Sequence, residues 1–109
     1  MRRFDDVEVS DCDVVAPALI PRALTAGELR FSNGATQVFE ADGSTTYVEN
    51  NRPSRGEWYV DDDGRFGSFW PPSYRASYDL RWMVEEGTIV GLRFIGLRLG
   101  ERFDGRFRD

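Results

Sequence analysis

The sequence of 109 residues contains no histidine and no lysine, and these two absences exclude several kinds of active site. Without histidine there is no Ser-His-Asp or Cys-His nucleophile system and no histidine-ligated metal. Without lysine there is no Schiff-base nitrogen and no conventional pyridoxal-phosphate site. An enzyme made from this chain would have to use Asp, Glu, Tyr, Ser, Arg or Cys. We therefore expect no cofactor and no metal ion, and we favour a role other than catalysis.

Cysteine and long apolar runs are also scarce. The single Cys12 has no partner for an internal disulfide, which fits a reducing cytoplasm. Its neighbours Asp11 and Asp13 make it a poor nucleophile, so we interpret it as non-catalytic. No apolar run approaches the ~20 residues of a membrane helix, and the first residues, MRRFDDVEVSDCD, lack the apolar stretch of a secretory signal. These observations predict a cytoplasmic protein without a membrane segment.

The charge balance argues against nucleic acid as a partner. The formal net charge is −5 and the isoelectric point is about 4.7, whereas phosphate binding draws on clustered positive charge. All 14 basic residues are arginines. Each of them carries a planar guanidinium that suits carboxylates and aromatic faces.

Turn signals recur along the chain at short intervals. Asn-Gly and Asp-Gly pairs suit tight hairpins because both central residues can adopt positive φ. The segments between the turns are rich in aromatic and β-branched residues, and we predict strands near 28–32, 35–40, 45–49, 56–60, 65–70, 76–84, 88–96 and 102–107. Every connection is short, so each strand should pair with its sequence neighbour. The predicted fold is all-β: an up-and-down antiparallel meander of about eight strands, closed into a small barrel over residues 28–107.

Alternation along the strongest predicted hairpin separates two faces. In residues 78–84, Tyr78, Leu80, Trp82 and Val84 share one face, and Asp79, Arg81 and Met83 share the other. In residues 88–95, Val90, Leu92 and Phe94 lie opposite Ile89, Gly91, Arg93 and Ile95. The pattern indicates which residues share a face, and it leaves open which face points inward.

The N-terminal segment, residues 1–27, has no strand pattern. Pro17 and Pro21 exclude a long regular helix, although PRALTAGEL is compatible with one helical turn. We expect this irregular segment to plug one barrel mouth or to lie along the wall. No linker divides the chain, so residues 1–109 are predicted to form a single domain.

The acidic run DDDG at residues 61–64 raises the question of a calcium site. A calcium-binding hand loop needs alternating ligands, a glycine at its sixth position and a glutamate at its twelfth. The three aspartates here are consecutive and lie between two predicted strands. A hairpin turn is the better interpretation.

The stretch GSFWPPSYRASYDLRW, residues 67–82, is the best candidate for a binding site. A Pro-Pro pair ends one strand, and large aromatic and charged side chains follow it closely. An aromatic wall with a few polar groups is typical of a ligand site in a small barrel. The candidate ligand-binding residues are Trp70, Tyr74, Arg75, Tyr78, Arg81 and Arg93. The alternative is that the tryptophans are core residues and that the arginines and Asp79 form a solvated outer face, since the polar faces of antiparallel strands usually meet water.

The predicted meander and its repeated strand openings resemble the small calycin-type and streptavidin-like β-barrels. The resemblance rests on RGEWYVDDDGRFGSFW, GTIVGLRF and FDGRF, and it covers residues 28–107. It is a resemblance of architecture, and it carries over no family site residue. It implies a closed barrel that binds small apolar or amphipathic ligands, with a few isomerases or cyclases in the same architecture.

Three hypotheses on function follow. In the first, the barrel binds a small organic ligand, and Arg75, Arg81 or Arg93 pairs with an acidic group on it. In the second, the same cavity catalyses a cofactor-free isomerisation or cyclisation with Tyr78, Asp79 or Glu57 as acid or base. In the third, the interior is packed and the outer apolar faces of 65–70 and 88–95 mediate a homodimer or another protein contact.

Overall fold

A computed structural model describes residues 4–108 and shows an all-β protein. A 3-10 helix (Pro17–Leu19) and the short helix α1 (Ile20–Thr25) precede the strands. The strands are β1 (Leu29–Phe31), β2 (Thr36–Phe39), β3 (Ser44–Glu49), β4 (Arg52–Val60), β5 (Phe66–Trp70), β6 (Tyr74–Glu85), β7 (Thr88–Gly96) and β8 (Arg102–Phe107). Each strand pairs antiparallel with its sequence neighbour, and β8 pairs with β1. The predicted up-and-down closed barrel is confirmed.

Strand β4 begins at Arg52, earlier than the sequence pattern predicts, and the turn before it explains the difference. Asn50 and Asn51 have φ values of 54° and 64°, so two residues are enough for a tight hairpin. Pro53 follows within the strand, although proline cannot donate a ladder hydrogen bond. It is accommodated because β4 pairs with β5 only from Glu57 onwards, which leaves the first half of β4 with one neighbour.

The two faces of β6 separate as the alternation predicts. Leu80 and Trp82 are buried inside the barrel, whereas Asp79 and Arg81 lie on the opposite, outer face. The alternation is interrupted near the end of the hairpin, where the register with β7 shifts between Met83 and Val84. The shift is a β-bulge, which bends the wall and ends the strict two-residue period.

The segment before α1 lies along the outer edge of β6. Strand β5 pairs with β6 only over Tyr74–Tyr78, so the next part of β6 has no strand on that side. The N-terminal segment supplies the missing hydrogen bonds: Val15 N donates to Leu80 O, and Cys12 N donates to Trp82 O, both at 2.9 Å. It therefore completes the wall where β5 ends.

Helix α1 closes one end of the barrel. Its buried side chains, Ile20, Ala23 and Leu24, join the core that the inward-facing strand residues form. That core includes Leu29, Phe39, Trp58, Trp82 and Leu92. One part of the N-terminal segment thus lies along the wall, and α1 lies at the mouth. Within residues 4–108, no helix combines the length and the apolar character that crossing a bilayer requires.

The plug at this end should contribute strongly to stability. We expect Leu24→Ala to lower the free energy of unfolding by about 2–5 kcal/mol, because it removes a fully buried side chain and leaves a cavity. The measurement is urea denaturation followed by tryptophan fluorescence. Leu99→Ala is the matched control, since Leu99 is 83% exposed and should change stability by less than about 0.5 kcal/mol. Equal effects of the two substitutions would contradict the role of α1 as a plug.

Candidate ligand-binding cavity

The barrel end opposite α1 contains a cavity of about 480 Å³. It lies where β1, β3, β5 and β7 end and where β2, β6 and β8 begin. Its aromatic lining consists of Phe31, Tyr47, Phe66, Trp70, Tyr78, Phe94 and Phe103. Its polar lining consists of Ser32, Asn33, Gln37, Ser68, Arg102 and Asp104. The volume is within the range of small-molecule sites, and so is the combination of apolar walls with a few polar groups.

The inner walls of the cavity are aromatic rings that also belong to the core. Phe94 is central among them, because its ring centroid lies 5.4 Å from that of Phe66, 6.0 Å from that of Phe31 and 6.2 Å from that of Tyr78. These are ordinary distances for edge-to-face and tilted aromatic pairs. The walls are therefore supported from behind and are largely pre-formed.

Trp70 lies flat against the wall because its neighbour on β4 is a glycine. A Cβ atom at Gly56 would lie 2.6 Å from the Trp70 ring, a separation that no side chain tolerates. The Tyr47 ring meets Trp70 edge-on, with 6.4 Å between the centroids. Gly56 thus provides the space in which Trp70 forms one side of the cavity.

Ser68 places an unpartnered hydroxyl in the cavity lining. The residue is 2% exposed, and its Oγ has no hydrogen-bond partner among the described residues. Leaving a buried hydroxyl without a partner costs about 1–3 kcal/mol. Few buried polar groups in native proteins are left without a partner, and a ligand in the cavity could supply the missing hydrogen bond.

Two further buried polar residues of this region, Gln37 and Thr45, have hydrogen-bond partners within the protein. Gln37 Nε2 donates to Thr45 Oγ1 at 3.0 Å, and the Thr45 hydroxyl donates to Val38 O at 2.8 Å. Because the Thr45 proton is committed to a backbone carbonyl, Thr45 can only accept from Gln37. These two hydrogen bonds hold the Gln37 amide in a fixed orientation within the cavity wall.

The two tyrosines of the lining are held in their neutral form. Burial raises the pKa of Tyr78 above its ordinary value, and the nearby Glu101 carboxylate adds to the effect. Burial also raises the pKa of Tyr47, whose hydroxyl donates to Glu49 Oε1 at 3.2 Å. Near neutral pH both groups are therefore hydrogen-bonding phenols and not phenolates.

An ionic network connects the cavity rim to the N-terminal segment. Arg102 donates to both carboxylate oxygens of Asp104, with Nη2 at 2.8 Å from Oδ2. Arg93 donates to the same carboxylate through Nε at 2.9 Å, and its Nη1 donates to Cys12 Sγ. Arg102 and Arg93 hold the pKa of Asp104 below its ordinary value. The network is a shared salt bridge that fixes β7, β8 and the segment around Cys12 to one another.

The structure brings three of the six predicted site residues to the open end. Trp70 and Tyr78 line the cavity. Tyr74 is the cross-strand partner of Trp70, but its side chain is 59% exposed at the rim and does not line the cavity.

The three predicted arginines lie on the outer face of the barrel and not in its interior. Arg75 stacks over the Phe69 ring, with 4.5 Å from its Cζ to the centroid. Arg81 is bonded to Asp79 and to Cys12 O, both at 3.0 Å. Arg93 is buried beneath the N-terminal segment. All three alternate with inward-facing apolar residues, so an interior position is incompatible with the strand period.

The carboxylates considered for catalysis also lie outside the cavity. Glu57 is exposed on β4, and Asp79 forms an ion pair with Arg81 on the outer face of β6. Neither belongs to the cavity lining. Of the three candidate acid or base residues, the cavity contains Tyr78 alone.

Sequence reasoning missed Ser68, Phe94 and Arg102 as members of the lining. Ser68 lies on the same face of β5 as Phe66 and Trp70. A polar residue on this otherwise aromatic face could have indicated it. Phe94 shares a predicted face with Leu92, which the structure shows to be the inner one. Arg102 begins a strand after an irregular loop, and no local pattern indicates that it reaches the rim.

Comparison with family models, curated proteins and solved structures finds no match for this chain. Across residues 4–108, no cluster of three or more cysteine, aspartate and glutamate side chains has an arrangement that could hold a metal ion.

The unpartnered hydroxyl leads to a stability prediction for the ligand-free protein. We expect Ser68→Ala to raise the free energy of unfolding by about 1 kcal/mol, because it removes a buried polar atom that gains no hydrogen bond on folding. Thermal denaturation measures the change. Ser73→Ala, in the exposed turn between β5 and β6, is the control and should have no measurable effect. A destabilised Ser68→Ala protein would mean that the hydroxyl has a partner.

The rim network gives a prediction on pH dependence. The folded-state pKa of Asp104 is lowered from 3.8, so its stabilisation is complete above that pH and is lost as the pH falls through the folded value. We expect Asp104→Asn to destabilise the protein at neutral pH by about 1–3 kcal/mol. The difference from the native protein should shrink below about pH 3.8. Urea denaturation at several pH values tests this, with Asp62→Asn in the exposed hairpin turn as the control. If the difference in stability between Asp104→Asn and the native protein did not depend on pH, it would not come from the ionised Asp104 carboxylate.

Proposed function

We propose that this protein is a binding module that holds a small organic molecule in the cavity between Trp70, Tyr78 and Phe94. The observation that carries the proposal is the unpartnered Ser68 hydroxyl in an open, aromatic cavity of about 480 Å³. A cavity of this size, with supported walls and one unsatisfied polar group, has the general form of a small-molecule site. We further propose that the protein acts in the cytoplasm, as its single cysteine suggests.

The architecture adds support of a weaker kind. An eight-stranded barrel has an interior just wide enough for its side chains or for one small ligand. Here side chains fill one end and the other end is open. Calycin-type barrels hold small ligands in a comparable way, and the proposal uses that analogy at the level of architecture only.

Catalysis has less support than binding. An isomerase or cyclase would need a group that accepts a proton next to the substrate. The one carboxylate of the lining, Asp104, is shared between Arg102 and Arg93, and its lowered pKa makes it a weak base. Burial raises the pKa of Tyr78, which suits a neutral hydrogen-bond donor better than a base at neutral pH.

Function through the outer faces alone also has less support. That hypothesis assumed a packed interior, whereas one barrel end is open. On β5 the outward Phe69 is covered by Arg75. The exposed apolar side chains near the open end are Tyr74, Leu97, Leu99 and Phe103. Phe103 lines the cavity, and the other three lie at the start of β6 and in the loop between β7 and β8, at the same end of the barrel.

The test uses N-phenylnaphthylamine, an uncharged probe whose fluorescence rises in apolar surroundings. We expect saturable binding with one site, accompanied by quenching of tryptophan fluorescence. Trp70→Ala should weaken the affinity at least about tenfold, because it removes one wall of the cavity.

Phe69→Ala is the matched control for this experiment. Phe69 precedes Trp70 on β5 and points to the opposite face, so its removal should change the affinity less than about twofold. Circular dichroism establishes that both variants are folded. Absence of probe binding, or equal affinities of the folded Trp70→Ala and native proteins, would remove this cavity as the binding site.

A further inference from the structure

The charges that border the cavity cancel one another. Arg102 and Asp104 are the two charged residues of the lining, and they are bonded to each other at 2.8 Å. Arg93 behind them is neutralised by the same aspartate and by Asp11, 3.7 Å away. Two guanidinium groups therefore face two carboxylates. An anionic ligand would compete with Asp104 for Arg102, and its success would leave Asp104 bonded to Arg93 alone.

The two tyrosines of the lining oppose negative charge as well. Burial acts first on Tyr78 and Tyr47, and carboxylates of Glu101 and Glu49 lie near them. Both effects disfavour an anion at the phenol oxygens. The same partial burial and the same carboxylates would act on a negatively charged ligand next to either ring.

One position inside the cavity calls for a polar partner. Ser68 has Trp58 and Ala76 as its cross-strand neighbours, and its Oγ is unpartnered. A hydroxyl can donate one hydrogen bond and accept others. Its complement is a neutral hydroxyl, carbonyl or amide, since an ionised group would lose its hydration without gaining a countercharge.

The aromatic side chains of the lining favour a ligand of a particular shape. The rings of Phe31, Phe66, Phe94 and Tyr78 present faces and edges at centroid distances of 5.4–6.2 Å from one another. Aromatic rings gain from offset or edge-to-face contact with another ring, beyond the area that they bury. A flat aromatic ligand uses these walls better than a flexible chain, which would also lose more conformational entropy.

We infer that the cavity takes an uncharged aromatic molecule whose one polar group reaches Ser68, and that it discriminates against carboxylates. This inference rests on the proposed function and specifies the class of ligand. It replaces the hypothesis that Arg75, Arg81 or Arg93 pairs with an acidic group on the ligand, since those arginines lie outside the barrel.

The test compares three probes with the same ring system: phenanthrol, phenanthrene and phenanthrene carboxylate. At neutral pH the first is an uncharged hydrogen-bonding molecule, the second has no polar group and the third is an anion. We expect phenanthrol to bind about fivefold more tightly than phenanthrene, as one added hydrogen bond provides. The carboxylate should bind at least about twentyfold more weakly than phenanthrol. Titrations followed by tryptophan fluorescence give the three affinities.

Ser68→Ala assigns the preference to one atom. In this variant phenanthrol should bind with the same affinity as phenanthrene, because the hydroxyl that distinguishes the two probes is gone. Ser73→Ala is the matched control and should keep the native order of the three probes. Because Ser68→Ala is expected to be at least as stable as the native protein, a lost preference for phenanthrol in this variant reports a lost hydrogen bond and not an unfolded protein.

Different outcomes overturn different conclusions. A carboxylate that binds as tightly as phenanthrol overturns the discrimination against anions. A preference for phenanthrol that persists in Ser68→Ala overturns the role of the hydroxyl. If N-phenylnaphthylamine binds and none of the phenanthrene probes does, the aromatic ligand class is wrong while the binding cavity stands. If no probe binds, both the ligand class and the proposed function are rejected.

Discussion

The pairing of β1 with β8 is the constraint on which the barrel depends. Strand β1 has only three residues, yet it pairs with β2 on one side and with β8 on the other. Gly105 eases the approach, because a Cβ atom there would lie 3.1 Å from the Phe31 ring and 3.2 Å from Leu29 Cβ, tighter than most such contacts. Without this contact the meander would have two free edges. Phe31 would then no longer face Phe94 across the interior, and the cavity would lose one wall.

Closure of the barrel also decides how polar residues are distributed. An interior of eight strands has room for few large side chains, and the described core fills the end next to α1 with aromatic and aliphatic residues. The arginines of β6 and β7 therefore lie outside, where the N-terminal segment offers Asp11 and the carbonyl of Cys12 as partners. Inside, the open end keeps one buried hydroxyl, and an ion pair lies at the rim on the outward-facing parity of β8.

The fold could be predicted from patterns between residues close in sequence, whereas the site depends on contacts between residues far apart in sequence. Turn residues and two-residue periods predicted the meander, because each hairpin is determined by neighbouring residues. Alternation also predicted that Arg81 lies opposite Trp82. It could not predict which of the two points inward, since the outward Arg81 finds its partner, the carbonyl of Cys12, about 70 residues away in sequence. Arg93 was misplaced for the same reason. Ser68 carried a weak signal, a polar side chain on an apolar face, and Arg102 carried none.

The position of α1 makes the cavity a dead end and not a channel. A molecule that enters past Phe103 and Trp70 meets the packed rings of Phe66 and Phe94, so it has to leave by the path along which it came. The entrance lies beside the turn between β5 and β6 and the loop that carries Leu97 and Leu99. The lifetime of any bound molecule is then governed by this single rim. A substitution in those two connections that changes only the barrier to passage would change the rates of entry and exit by the same factor, because the barrier height does not enter the equilibrium constant.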